Sequence, residues 1–349
     1  MVGKSSARRR SSFRATVLGA LLLLADSLVP AHAPSQETPR PAAPTPAAPA
    51  QDFPAQAAPA REQEVQRWIE QLDADSFSQR ERATRSLQQV GTAAEEQLLE
   101  ALRSPSPEVR RRAAYVLRDS HWRRLHGDIV DFAARPDERL DVEHGMWLVA
   151  RILDPSVKQR DLQQQLNALA DRVRAKFPAD MPPRKAPPRR AMEAIRDVLF
   201  VELHFHGATQ NYQDPRNSSL ACVLQRKEGL PILLSNVVVA VGARLGLPLE
   251  GLATPGRYLV KYQVGATDDQ PQEEIVMDAF DGGKILSSQD LTSLFPGFDS
   301  DDLLLPASPR QTLVRMLNNL ETHLYHAGDG PRAELAVYFR TLLERDEDF

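Results

Sequence analysis

One cysteine, Cys222, stands alone in 349 residues. No intramolecular disulfide can form, and a lone thiol in an exported protein is most often a packed one. Basic charge is not in excess either: 43 Lys and Arg face 47 Asp and Glu, and leaving out residues 1–33 takes the net charge to −8. An acidic chain gives no electrostatic reason to expect nucleic acid or an anionic membrane surface as a partner. A long apolar run is also lacking. The stretch "ATVLGALLLLADSLV" is broken by Asp26 and is short for a membrane span.

That stretch is instead one part of a three-part pattern. Lys4, Arg8, Arg9, Arg10 and Arg14 precede it, and "AHA" at 31–33 follows. Basic region, apolar core and small-x-small site read as a secretory signal over residues 1–33. The expected address is periplasmic or extracellular, with membrane attachment only through an uncleaved signal anchor. Residues 34–61 are rich in Pro and Ala, with Phe53 as their one large apolar side chain. Such a segment buries too little surface to offset its ordering entropy, so it is predicted to be a disordered tether.

From Glu62 the pattern turns helical. Val65, Trp68, Ile69 and Leu72 recur at helix spacing, and "SPSPEVRRRAAYVLRDS" sets Val109, Ala113, Val116 and Leu117 on one side behind a first-turn proline. Paired amphipathic helices over 62–134 resemble HEAT-like repeats. About two pairs are one short of a self-sufficient solenoid, so these helices need another surface to pack on. Further helices are predicted over 120–134, 139–153 and 155–176. The Pro-rich, basic "FPADMPPRKAPPRR" then reads as a solvated loop.

The second half changes period. "EGLPILLSNVVVAVGARLGLPL" predicts a buried helix stopped by Gly246 and Pro248. "RYLVKYQV" and "EEIVMDAF" predict strands, "DGGKIL" a turn and short strand, and two helices close the chain. The fold class is α+β and mainly helical: a helical region followed by a domain with a small antiparallel sheet.

Four phrases carry a family resemblance: "YQDPRNSSLACVLQRKEGLPILL", "ARLGLPLEGLATPGRYLVKY", "MDAFDGGKIL" and "PRQTLVRMLNNL". Their order and spacing resemble SirB-type bacterial proteins with a transglutaminase-like core, across residues 139–349. The resemblance implies a papain-like scaffold with a Cys-His-Asp constellation: a nucleophile opening the buried helix, a histidine on the next strand, an acid on the one after. In the SirB-type branch the nucleophile position often holds Ser or Thr. Matched residue by residue, Leu233 falls at the nucleophile, Arg257 at the histidine and Asp278 at the acid. Leucine has no attacking atom, and a guanidinium stays protonated and cannot act as a general base. Asp278 alone survives, and Arg257 is expected to pair with it.

Other chemistry is weaker. Cys222 lies ahead of the helix that should carry a nucleophile, and no base is evident for it or for Ser235. His204 and His206 make two metal ligands at most, too few for a site. His323 and His326 fall near a helix end, where cations suit the dipole. "DPRNSSL" predicts a turn and cap around Asp214 or Asn217. The acids of "FDSDDLLLP" lack the spacing of a calcium loop. The sequence therefore predicts an exported noncatalytic binding or scaffold protein that holds a peptide or another protein, with no cofactor and no metal. The alternative is a cysteine-peptidase-type hydrolase or amidotransferase with a relocated nucleophile, Cys222 or Ser235.

Overall fold

Apolar side chains returning every three to four residues give the chain its first helices. The computed structural model describes residues 58–263, 275–298 and 303–344. The expected signal, most of the tether and the acids of "FDSDDLLLP" lie outside them. Helix α1 (Ala58–Gln71) opens inside the segment expected as tether, with Pro59 in the first turn, where a missing N–H costs nothing. It is followed by α2 (Phe77–Val90), α3 (Glu95–Ala101) and α4 (Pro107–Ala133). Ser106 caps α4 by accepting from the Val109 amide. Val65, Leu72, Leu87, Leu98 and Val116 form a core of their own among these helices.

One boundary differs from the sequence reading. No break occurs at residue 120: α4 is a single helix of 27 residues. Asp119, just before the expected break, accepts from Gln88 and Arg123. The helix runs on until Ala133, three residues short of Pro136. Its second half joins the main core through Leu125, Ile129 and Phe132.

Next come α5 (Val142–Leu153), α6 (Gln159–Arg174), α7 (Pro188–Arg196) and a π-turn over Asp197–Glu202. A two-residue strand β1 (His206–Gly207) pairs in parallel with β2 (Glu228–Gly229), and α8 (Leu220–Arg226) lies between them in sequence. Helix α9 (Pro231–Leu245) then runs through the core, with Leu233, Leu234, Val237, Val238 and Val241 almost wholly buried. Gly246, at φ +70°, ends it as a left-handed cap.

Strands β3 (Leu249–Leu252), β4 (Leu259–Tyr262), β5 (Ile275–Asp278) and β6 (Lys284–Leu286) form an antiparallel meander. Val260, Tyr262, Ile275 and Met277 pack into the main core with α9. Leu252, Leu259, Val276 and Leu286 pack on a second cluster with Leu291 and Phe295 of α10 (Ser288–Leu294) and its end. Both sheet faces are covered, which is why β5 reads as an apolar run rather than an alternation. Helices α11 (Pro309–His326) and α12 (Gly330–Glu344) close the chain as a hairpin. Buried Arg310 ties them to the end of α4, donating to the carbonyls of Leu343 at 2.6 Å and Arg135 at 2.9 Å. The architecture is a mainly helical α+β fold with a small antiparallel sheet.

Among the described residues no helix is long and apolar enough to cross a membrane.

Candidate functional site

The turn between β3 and β4 positions the first residue of interest. Gly256, at φ +69°, reverses the chain, and the Arg257 amide closes the turn on the Thr254 carbonyl at 3.3 Å. The strand starts only at Leu259, so Arg257 sits in the turn and not on the strand that "RYLVKYQV" suggested. Its side chain crosses to the end of β5. Arg257 Nη1 donates to Asp278 Oδ2 at 2.5 Å.

Asp278 is 2% exposed and fully used. Its Oδ1 accepts from the amides of Phe280 at 3.0 Å and Asp281 at 3.2 Å. The carboxylate thus fixes the turn after β5, in which Gly282 and Gly283 have φ of +62° and +72°. Arg257 is the opposite pole: its side chain is 38% exposed and spends one donor on Asp278. A guanidinium has five donors in a planar fork.

Helix α9 meets this corner through Ser235, whose buried hydroxyl donates to the Tyr258 carbonyl at 2.8 Å. That proton is committed to the backbone, so Ser235 stitches helix to strand. Leu233, two residues earlier, is 1% exposed within the main core. The structure therefore brings Arg257, Asp278 and Ser235 to one corner and places Leu233 on the same helix as Ser235, as hydrocarbon.

Cys222 is not part of this corner. It lies half-buried on α8, and among the described residues no histidine bonds to it. Nor do His204 and His206 make a metal site: no group of three His, Cys, Asp or Glu suited to a metal occurs among the described residues. His204 has φ +57°, off the strand geometry that would have aligned the pair.

Two residues that sequence reasoning left out or misjudged complete the corner. Arg315, on α11, donates to the carbonyls of Thr254 at 2.9 Å and Arg257 at 2.6 Å, with its guanidinium carbon 5.8 Å from the Tyr258 ring centroid. Burial pulls its pKa below the ordinary arginine value, against the opposing influence of Tyr258 and Tyr212. Tyr258 is itself raised by burial, and its hydroxyl meets Thr312 Oγ1 at 2.8 Å.

His323 is the misjudged one. It was expected to be a helix-end cation, yet it is 4% exposed, and its Nδ1 is buried with no hydrogen-bond partner. Burial lowers its pKa first, His326 adds to that, and Asp214 opposes it, so the neutral ring is favoured. The signal was in the spacing, since His323 lies seven residues after Met316 and three after Leu320, within the apolar stripe.

Over His323 lies the loop before "DPRNSSL". Tyr212 meets the His323 ring edge-on at 5.9 Å and the Phe280 ring edge-on at 6.3 Å. Asn217, fully buried, holds this loop by donating to the Asn211 carbonyl at 2.6 Å. Asp214 caps the following turn as expected, accepting from the Arg216 amide at 2.9 Å. Burial would raise the Asp214 pKa, but hydrogen bonds from Arg216 and the charges of Arg216 and Arg226 prevail and lower it. Gln210, Asn211, Tyr212 and Gln213 line an open depression of about 660 Å³ beside Asp214 and Arg216.

Comparison with known proteins bears on the same stretch. Residues 160–318 match the family described as Transglutaminase-like superfamily, and the chain holds a transglutaminase-like domain there. A UPF0162 protein from Xylella fastidiosa is 39% identical over 140 residues, 38% of this chain and 48% of that protein. A UPF0162 protein from Pseudomonas aeruginosa is 27% identical over 198 residues, 55% of this chain and 67% of that protein. An F-box only protein 21 from mouse is 30% identical over 133 residues, 38% of this chain and 21% of that protein. The chain thus spans about half the length, 48%, of the Xylella relative it matches. No solved structure matches the chain.

Proposed function

We propose that this chain is an exported, noncatalytic binding or scaffold protein whose transglutaminase-like domain has lost its catalytic constellation. The observation that carries the reading is the bond from Arg257 to Asp278. Where the superfamily's mechanism needs an imidazole able to take a proton, this chain offers a permanent cation that cannot. Leu233, at the nucleophile position, offers carbon and hydrogen only. Loss of the base alone costs roughly 10² to 10⁴ in rate, and loss of the nucleophile removes the covalent route.

The rest of the reading follows the sequence. Residues 1–33 act as the export signal and 34–61 as the tether, residues 62–134 form a HEAT-like helical region, and residues 139–349 form a SirB-type domain. The partner is a peptide or another protein. The mouse relative supports a transferable module, since the matched stretch makes up 21% of that longer protein. A relocated nucleophile finds no support: Ser235 is bonded to a backbone carbonyl, and among the described residues no histidine bonds to Cys222.

The test is turnover. Purified full chain is incubated with peptide amides, glutamine-containing peptides with an amine acceptor, and small esters, with and without a maleimide block on Cys222. The expected rate equals that of buffer in every case, and Arg257→His does not raise it because Leu233 still cannot attack. Turnover that stops when Cys222 is blocked would overturn the reading.

A further inference from the structure

The corner around Arg257 contains more positive than negative charge, and that surplus is built in. Four contacts run through it. Arg257 Nη1 bonds Asp278, and Asp278 bonds the Phe280 amide. The Phe280 ring meets Tyr212. Arg315 Nη2 returns to the Arg257 carbonyl. Arg257 is thus paired with a carboxylate and Arg315 with backbone carbonyls only.

Arg315 is the unusual member. It is half-buried, yet among the described residues it has no carboxylate partner, only two carbonyls and the Tyr258 ring. A cation removed from water without a counter-ion is costly. Two buried polar atoms in this region are left without partners. Thr254 Oγ1, in the turn that Arg315 holds, is buried and unbonded, as is His323 Nδ1 beneath Tyr212. Buried polar groups lacking a partner are rare enough to need a reason. The rim is open, with Tyr212 45% exposed and the Arg257 side chain 38% exposed.

We infer that this corner is a carboxylate-binding site, in which the free donors of Arg257 and the uncompensated charge of Arg315 hold an acidic group of a bound peptide beside Tyr212 and Phe280. The charge balance chooses the ligand class. Two arginines against Asp278 leave one net positive charge, which a carboxylate neutralises and a doubly charged phosphate overshoots. The planar fork of a guanidinium also matches a carboxylate's two oxygens, and the two aromatic rings supply contact area to the residues beside it. The carboxylate belongs to an acidic side chain or to the end of a chain. This inference rests on the noncatalytic reading and names the chemistry that its partner must carry.

The test uses immobilised full chain and three hexapeptide libraries. Two are acetylated and amidated and differ only in one fixed position, Glu or Gln; the third has the fixed Gln and a free C-terminus. The expected result is tighter retention of a carboxylate library by roughly tenfold to a hundredfold, the worth of hydrogen bonds to a charged group. The Glu library winning points to an acidic side chain, and the free C-terminus winning points to a chain end. The full chain carries net charge −4, so unspecific electrostatics favours the neutral library. Arg315→Gln and the pair Arg257→Gln with Asp278→Asn abolish the preference, with thermal melts confirming that both variants fold. Phenylglyoxal labelling of Arg257 and Arg315, mapped by mass spectrometry, slows in the presence of the winning library. Equal retention of all three libraries, retention of none, or a preference that survives in both variants overturns the carboxylate site and leaves the noncatalytic reading standing. Cleaved or cross-linked library members overturn the noncatalytic reading instead.

Discussion

Arg315 Nη2 donates to the carbonyl oxygen of Arg257 at 2.6 Å, so a helix near the end of the chain holds the turn that carries the candidate site. Arg315 Nη1 adds a second bond to the Thr254 carbonyl at 2.9 Å. A planar fork reaches two carbonyls three residues apart, and an ammonium does so poorly. Arg315→Lys is therefore expected to behave much like Arg315→Ala in stability, each costing about 1–3 kcal/mol through orphaned carbonyls. Urea denaturation measures both. A lysine variant as stable as the parent would show that only the charge matters.

One buried and one half-buried histidine give a pH dependence of defined sign. His323 is depressed by burial first and by His326 second, with Asp214 opposing. His144 is depressed by burial and then by Arg135, with Arg151 adding to it and Asp141 and Asp128 opposing. Folded pKa values below the unfolded value of about 6.5 mean that the unfolded chain binds more protons between the two. Stability from these rings is complete above that pH and is lost as pH falls below it. Asp214 and Glu95, also depressed, lose their contributions lower, nearer the carboxylate range of about 4. The thermal midpoint is expected to fall by a few degrees from pH 7.5 to 5.5 and to fall less in His323→Leu. A midpoint flat across that interval in the parent chain would refute the assignment.

Much of this was legible in the sequence, for local reasons. The proline at the start of α4, Gly246 at the end of α9 and the glycine pair after β5 are residues whose backbone demands show in the letters alone. The pairing of Arg257 with Asp278 was reachable only because a family pattern set two residues 21 positions apart side by side. What stayed hidden depends on tertiary contact. Strands β1 and β2 are two residues each and present no period to read. Ser235 looked like a possible nucleophile until its partner, the Tyr258 carbonyl, was visible. Arg315 sits at a helix position where an arginine ordinarily faces water, and only the turn packed on it explains its burial. His323 looked like a helix-end cation because its place in the chain was weighed above its place in the apolar stripe.

Gly207 provides the most local test of how the aromatic wall is held. A Cβ built there would lie 2.6 Å from both Cδ2 and Cε2 of Phe280, closer than real atoms approach. A ring cannot bend away, and Phe280 is also braced by Tyr212 at 6.3 Å. Gly207→Ala is therefore expected to cost about 1–3 kcal/mol by overpacking and to push Phe280 toward Tyr212. Phe280→Ala removes the obstacle at its own cost in lost packing, so the double variant is expected to be more stable than the two single costs predict. Denaturant titration of all four proteins completes the cycle. Costs that add to within about 0.5 kcal/mol would mean that the ring does not bear on Gly207. Gly282 serves as the control, because nothing lies within 4 Å of a Cβ there and its φ of +62° is the only obstacle. Gly282→Ala is expected to lose about 1 kcal/mol from backbone strain, with no dependence on whether Phe280 is present.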